Sequence, residues 1–203
     1  KDDHKTAMTL LDSRVVAGDP AVYDKLRNAV NRKLYRSRVR QLVQQILDER
    51  NERHARFGDS VYLLEPDIKL GEGGLRDLLG ARWAAQLVVD NQALKKLGLS
   101  VKERHELRAA YETLLRFSTA LHSIAGRPVD RLRFAYQEAL AKLLGDPTVE
   151  ACMQRYWQAA AKIRASSRRA LEVLAQKAGL PIGECIEAAV PNDPSTLVSL
   201  FLR

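Results

Sequence analysis

Three glycines fall within four positions at Gly71, Gly73 and Gly74, inside the run Glu65-Pro66-Asp67-Ile68-Lys69-Leu70-Gly71-Glu72-Gly73-Gly74-Leu75-Arg76-Asp77. Core packing does not call for such a choice of residues. Glycines free a backbone for positive φ or for close approach to a neighbour. Lys69 and Arg76 flank them with cationic donors, and Glu65, Asp67, Glu72 and Asp77 supply carboxylates. An apolar helical run from Leu78 to Val89 follows at once. A glycine loop that feeds a helix N-terminus is a sound anion or phosphate site, because free N–H groups and the helix dipole converge there. The spacing fits neither a Walker A loop nor a dinucleotide fingerprint. The other reading is a tight turn that locks itself with matched charges, Arg76 pairing with Glu65 or Asp67.

The rest of the chain bounds the choice. Its 203 residues suffice for one large domain or two small ones. No apolar run approaches the roughly 20 residues of a membrane span. The start, Lys1-Asp2-Asp3-His4-Lys5, is not a signal peptide, so a cytoplasmic protein with no membrane partner is expected. Cys152 and Cys185 are isolated and no histidine cluster accompanies them, which argues against zinc. The net charge of +8 favours an anionic partner.

Thr6 to Val16 reads as a strand, with Leu10, Leu11, Val15 and Val16 apolar. Asp19-Pro20 is a helix start, and helix is expected to about Arg56 with a break near Ser37. From Lys25 to Arg56 there are 10 Lys/Arg against 3 Asp/Glu, so the exposed face of this region is basic. Val61 to Leu64 leads into the loop as a short extended piece. Helices are then expected over 75–90 with Trp83 in the core, over 91–99 as a short helix and turn, and from a capping box at Ser100–Glu103 to Ala125. Two more are expected, at 130–144 and 148–178. Positions 179–194 read as a linker, and Leu197 to Leu202 starts a further apolar helix. The lone N-terminal strand and the uncovered last helix make the chain read as the middle of a larger protein.

The loop resembles that of bacterial PII uridylyltransferase/uridylyl-removing enzymes, Glu-Pro-Asn-x-Lys-x-Gly-x-Gly-Gly-Leu-Arg-Asp, with Asp67 where that family has Asn. Two further segments are similar and in the same order. Leu10-Leu11-Asp12-Ser13-Arg14-Val15-Val16-Ala17-Gly18-Asp19 resembles the segment that closes the family's nucleotidyltransferase fold. Arg116-Phe117 through His122, Gly126-Arg127, Asp130-Arg131-Leu132, Phe134 and Gln137 resemble the helical segment after the loop, with Ala135 in place of Asp. The tail from Pro194 to Leu202 is similar to the approach to a phosphohydrolase domain.

The resemblance implies a mostly α fold: a helical bundle with a short β element at the N-terminus, the remnant of a polymerase-β-like sheet. Residues 1–19 would be the last strand segment of a nucleotidyltransferase domain, 20–178 a helical domain holding the loop, and 179–203 a linker and the start of a following region. It implies transfer of UMP from UTP to a tyrosine of the PII nitrogen-signalling protein, assisted by magnesium. Asp12 is then the candidate catalytic carboxylate and metal ligand. Lys69, Gly71, Gly73, Gly74 and Arg76 are the candidate nucleotide-binding residues. The family's Asp-x-Asp and His-Asp motifs are absent here, so the isolated chain is expected to be inactive. Arg127, Asp130 and Arg131 fit a local ion-pair network as well as a site. Two other functions stay open: a basic helical nucleic-acid module, which no recognition motif supports, and an interaction scaffold that touches no nucleotide.

Overall fold

The computed structural model describes residues 3–58, 60–88 and 101–181. Among them lie seven α-helices: α1 (Asp3–Leu11), α2 (Pro20–Val30), α3 (Val39–Phe57), α4 (Leu75–Val88), α5 (Val101–Ala125), α6 (Phe134–Leu144) and α7 (Val149–Lys177). A π-helical turn, Asn31–Tyr35, follows α2. No helix among the described residues is long and apolar enough to cross a membrane.

Local chemistry accounts for most boundaries. Asp19 caps α2 by accepting from Ala21 N at 2.8 Å, with Pro20 in the first helical position. Thr148 caps α7 in the same way, through Ala151 N at 3.1 Å. Gly126 and Gly145 take positive φ just beyond α5 and α6 and end them. The helical region from Pro20 onward does break around Ser37, between the π turn and α3.

Two expectations need correction. Thr6 to Leu11, read as strand, belong to helix α1, and no strand occurs among the described residues. The reason is visible in the packing. Ala7 and Met8 are buried and Leu11 packs beside them, a helical spacing, whereas Val15 and Val16 are exposed. The segment 130–133 is also not helix. Asp67 and Arg131 form an isolated antiparallel bridge, with Ile68 N donating to Asp130 O at 2.8 Å and Leu132 N to Pro66 O at 2.9 Å. The readings for 91–99, for Ser100 and for the chain from residue 182 onward fall outside the described residues.

The core forms where α7 meets α4 and α5, with α3 and α6 packed at the flanks. Ala81, Ala84 and Ala85 bring α4 close to its neighbours, and Leu114, Phe117, Leu121, Leu140, Tyr156, Ile163 and Leu174 fill the space between helices. Trp83 is only partly buried, against the edge of this core. The loop 65–74 crosses the bundle between α3 and α7, and Ile68 and Leu132 anchor it with no exposure.

Candidate functional site

Asp77, in the first turn of α4, is the buried centre of the loop region. Its side chain is 0% exposed. Oδ1 accepts from Arg53 Nη2 at 2.9 Å and faces His54 Nε2 at 2.8 Å, while Oδ2 accepts the Gly73 N–H at 2.8 Å. Arg50 Nε stands 3.9 Å away. Arg53 also donates to Leu70 O at 3.1 Å. One carboxylate thus joins the loop, the start of α4 and the last turns of α3. Burial alone would raise the Asp77 pKa, but the His54 hydrogen bond and the charges of His54, Arg53 and Arg50 outweigh it and hold the carboxyl below its ordinary range.

The glycines are explained by contact. A Cβ on Gly73, whose φ is +71°, would stand 2.2 Å from the Ala160 carbonyl oxygen of α7. On Gly71 it would lie 2.7 Å from Asp67 O, and on Gly74 between 2.8 and 2.9 Å from the carbonyls of Ile68, Lys69 and Gly71. Backbone packs directly on backbone here, which only glycine permits. The loop amides are also committed. Gly71 N donates to Asp67 O, Gly73 N to Asp77, Gly74 N to Gly71 O, Leu75 N to Ile68 O and Arg76 N to Lys69 O. Asp67 Oδ1 takes the amides of Lys69 and Leu70 at 3.0 and 2.6 Å. The N–H groups that a phosphate would need are therefore turned inward.

The other carboxylates of the loop tie it outward. Glu65 Oε1 accepts the N–H of Phe134 at the start of α6 at 2.9 Å, and its Oε2 lies 3.5 Å from Arg131 Nη2. Gln137 Nε2 donates to Leu64 O and Leu132 O. Glu72 accepts from Arg164 Nε of α7 at 2.9 Å. His122 Nε2 stands 3.6 Å from Asp130. Asp130 and Arg131 hence belong to the network that seats the loop, and Arg127 is exposed beside them.

The sequence candidates divide. Gly71, Gly73 and Gly74 are buried, while Lys69 is exposed. Arg76 lies over the Trp83 ring at 5.2 Å and 3.8 Å from Glu49, and its Nε has no hydrogen-bond partner. Arg76 does not pair with Glu65 or Asp67. Asp12 reaches the same tryptophan from α1's end: Trp83 Nε1 donates to Asp12 Oδ2 at 2.7 Å, and Arg82 Nη2 is 3.2 Å from Oδ1. Arg76 thus covers the face of the Trp83 ring and Asp12 takes the N–H at its edge. Both Asp12 oxygens are engaged, one by a guanidinium, and no group of three His, Cys, Asp or Glu suited to a metal occurs among the described residues. The described residues by themselves do not fit a magnesium site. Arg53, His54 and Arg164, which hold the loop, were missed by the sequence reading. The one signal for them was the row of cations, Arg50, Arg53 and His54, near the end of α3.

The GlnD PII-uridylyltransferase family model matches residues 41–171, which spans the loop and the helices that hold it. Among curated proteins, a bifunctional uridylyltransferase/uridylyl-removing enzyme of Xanthomonas campestris pv. campestris (strain B100) is 47% identical over 135 residues, 62% of this chain and 16% of the relative. One of Xanthomonas axonopodis pv. citri (strain 306) is 40% identical over 180 residues, 84% of this chain and 21% of the relative. One of Hydrogenovibrio crunogenus is 36% identical over 172 residues, 78% and 19% respectively. The chain spans about one sixth to one fifth of the length of these relatives. No solved structure matches.

Proposed function

The chain belongs to the GlnD PII-uridylyltransferase family, and from that premise we propose that it is part of a nucleotidyltransferase that moves UMP from UTP to a tyrosine of a PII-type signal protein. The observation that carries this reading is the family match across 41–171, which includes the loop. The chemistry is in-line transfer at phosphorus, in which magnesium would neutralise the leaving pyrophosphate. The chain has no Asp-x-Asp pair, so the metal-holding carboxylates of such a reaction would come from elsewhere, with Asp12 as one contributor at most.

Within that reaction the chain's own residues take two roles. The glycines shape a rigid seat whose amides serve the loop itself. Lys69 and Arg76 are the cations offered to a phosphate chain, Lys69 as an exposed point charge and Arg76 through the part-exposed guanidinium that lies over Trp83, its Nε being buried. The domain division is part of the same proposal: 1–19 closing a nucleotidyltransferase unit, 20–178 the helical domain and 179–203 leading to a further region.

A second reading has one specific observation in its favour. Because the amides of Lys69, Leu70, Gly71, Gly73, Gly74, Leu75 and Arg76 are taken up within the loop region, the helical domain could serve as a scaffold and never touch nucleotide. One experiment separates the two. The protein as expressed from its own gene is incubated with PII, UTP and magnesium, and PII is followed by intact mass. A UMP-sized increase that weakens at least tenfold in Lys69→Ala and Arg76→Ala, with unchanged circular dichroism, supports nucleotide contact. An increase that survives both variants leaves the scaffold. No increase removes PII transfer. Asp12→Asn in the same assay tests the catalytic carboxylate.

A further inference from the structure

Helix α2 contributes no buried residue at all. Val22 is 64% exposed and Leu26 50%. Successive helical residues are about 100° apart, so Val22, Leu26 and Val30 fall in one narrow stripe. The stripe begins in the core, where Val30 packs, and emerges into solvent at Leu26 and Val22. The preceding loop is tied to the same helix, since Tyr23 Oη donates to Ser13 O at 2.5 Å and Asp19 caps the helix. That loop adds Val15 and Val16, the latter 87% exposed. An amphipathic helix gains its stability in a protein from burying its apolar face, and this one does not.

The charges around the stripe say what would cover it. On the same helical spacing Lys25 and Arg27 border the stripe, one on each side, while Asp24 and Asn28 lie at the back. Residues 14–40 hold eight Lys/Arg against two Asp/Glu. Lys25, Arg27 and Lys33 are exposed and Asp24 faces away, so the face offers aliphatic side chains inside a cationic rim. We propose that this face of α2 docks on another protein surface that carries carboxylates around an aliphatic patch. Nucleic acid fits less well: a phosphate backbone has nothing for the valine and leucine row, and the Tyr23 hydroxyl is already engaged by Ser13. A lipid surface also fits less well, because the helix has 11 residues and its exposed stripe contains no Trp or Phe.

The test uses the protein as expressed from its own gene. Zero-length carbodiimide coupling joins an amine to a carboxylate in contact, and peptide mass spectrometry locates the link. The expected result is Lys25 and Lys33 joined to Asp or Glu of another domain or polypeptide. Their acetylation should run at least tenfold slower than that of exposed Lys142. Val22→Asp with Leu26→Asp should restore fast acetylation and leave the circular dichroism unchanged, since neither residue is buried within this chain. Acetylation of Lys25 and Lys33 at the rate of Lys142, with no link formed, overturns the proposal. So does protection that appears only when a 20-base-pair DNA duplex or phosphatidylserine vesicles are added.

Discussion

Asp77→Asn isolates the group on which the loop's position depends. The substitution keeps shape and removes the charge. One carboxylate oxygen must become an NH2. If it replaces Oδ2, it meets the N–H of Gly73; if it replaces Oδ1, it meets the guanidinium of Arg53 and the ring of His54. His54 can change tautomer and accept, but neither Arg53 nor the Gly73 amide can. Every orientation therefore sets donor against donor in a site with no solvent. Breaking a buried pair on one side costs about 3–5 kcal/mol. Arg53 keeps Leu70 O and Glu49 as partners, which places the expected loss near the lower figure, about 3 kcal/mol. That is a large share of a total stability on the order of 5–15 kcal/mol.

Urea unfolding reads the loss as a lower midpoint. With a slope of about 2–3 kcal/mol/M the shift is about 1–1.5 M. The pH dependence gives a second, independent readout. The folded-state pKa of Asp77 is depressed, so its contribution is present above the unfolded value of about 4. It is lost as the pH falls through the lower folded value. The wild type should lose stability through that window more steeply than Asp77→Asn, which has no carboxylate there to protonate. A midpoint shift under about 0.3 M, with the acid limbs parallel, would refute the view that this carboxylate holds the loop in place.

The remaining predictions rest on other parts of the structure. Gly73→Ala should lose roughly 2–5 kcal/mol, from left-handed strain of about 1–2 kcal/mol plus displacement of the Ala160 carbonyl. Gly145→Ala has a similar φ and open space around it, so thermal melts should show the strain alone. Glu65→Ala removes the acceptor for Phe134 N and should cost about 1 kcal/mol, seen as earlier hydrogen exchange in the first turn of α6. Burial, with a smaller push from Asp146, raises the Cys152 thiol to about 12, against the pull of Arg155. Iodoacetamide at pH 8 should label Cys152 only as fast as the fold opens, and in urea at once. Rapid labelling of the folded protein would contradict that burial.

Much of the helical frame could be read from residues acting on their immediate neighbours. Asp19-Pro20, Gly126, Thr148 and Gly145 each set a boundary within a few positions of themselves, and the structure has boundaries there. The errors arose where partners are distant. Asp130 to Arg133 looked helical because the strand-like bond to Pro66 and Ile68 comes from more than sixty residues upstream. Thr6 to Val16 looked extended because Val15 and Val16 are β-branched, although burial follows Ala7, Met8 and Leu11. The glycine run was visible as an anomaly, but not its cause, because Ala160 and Arg164 approach from α7.

That cause bears on how the loop can act. An anion-binding loop leaves its amides pointing into a cavity; this one closes them on Asp67, Asp77 and its own carbonyls. The glycines let the loop press against α7, and the same contact fixes where Lys69 and Arg76 emerge. Arg76 and Asp12 share Trp83, so a shift of the loop changes the setting of the N-terminal carboxylate as well. A glycine substitution should therefore damage folding first and any phosphate contact only through the displaced cations. Side-chain truncation at Lys69 or Arg76 should do the reverse, which makes the two kinds of variant separable in one stability measurement and one transfer assay.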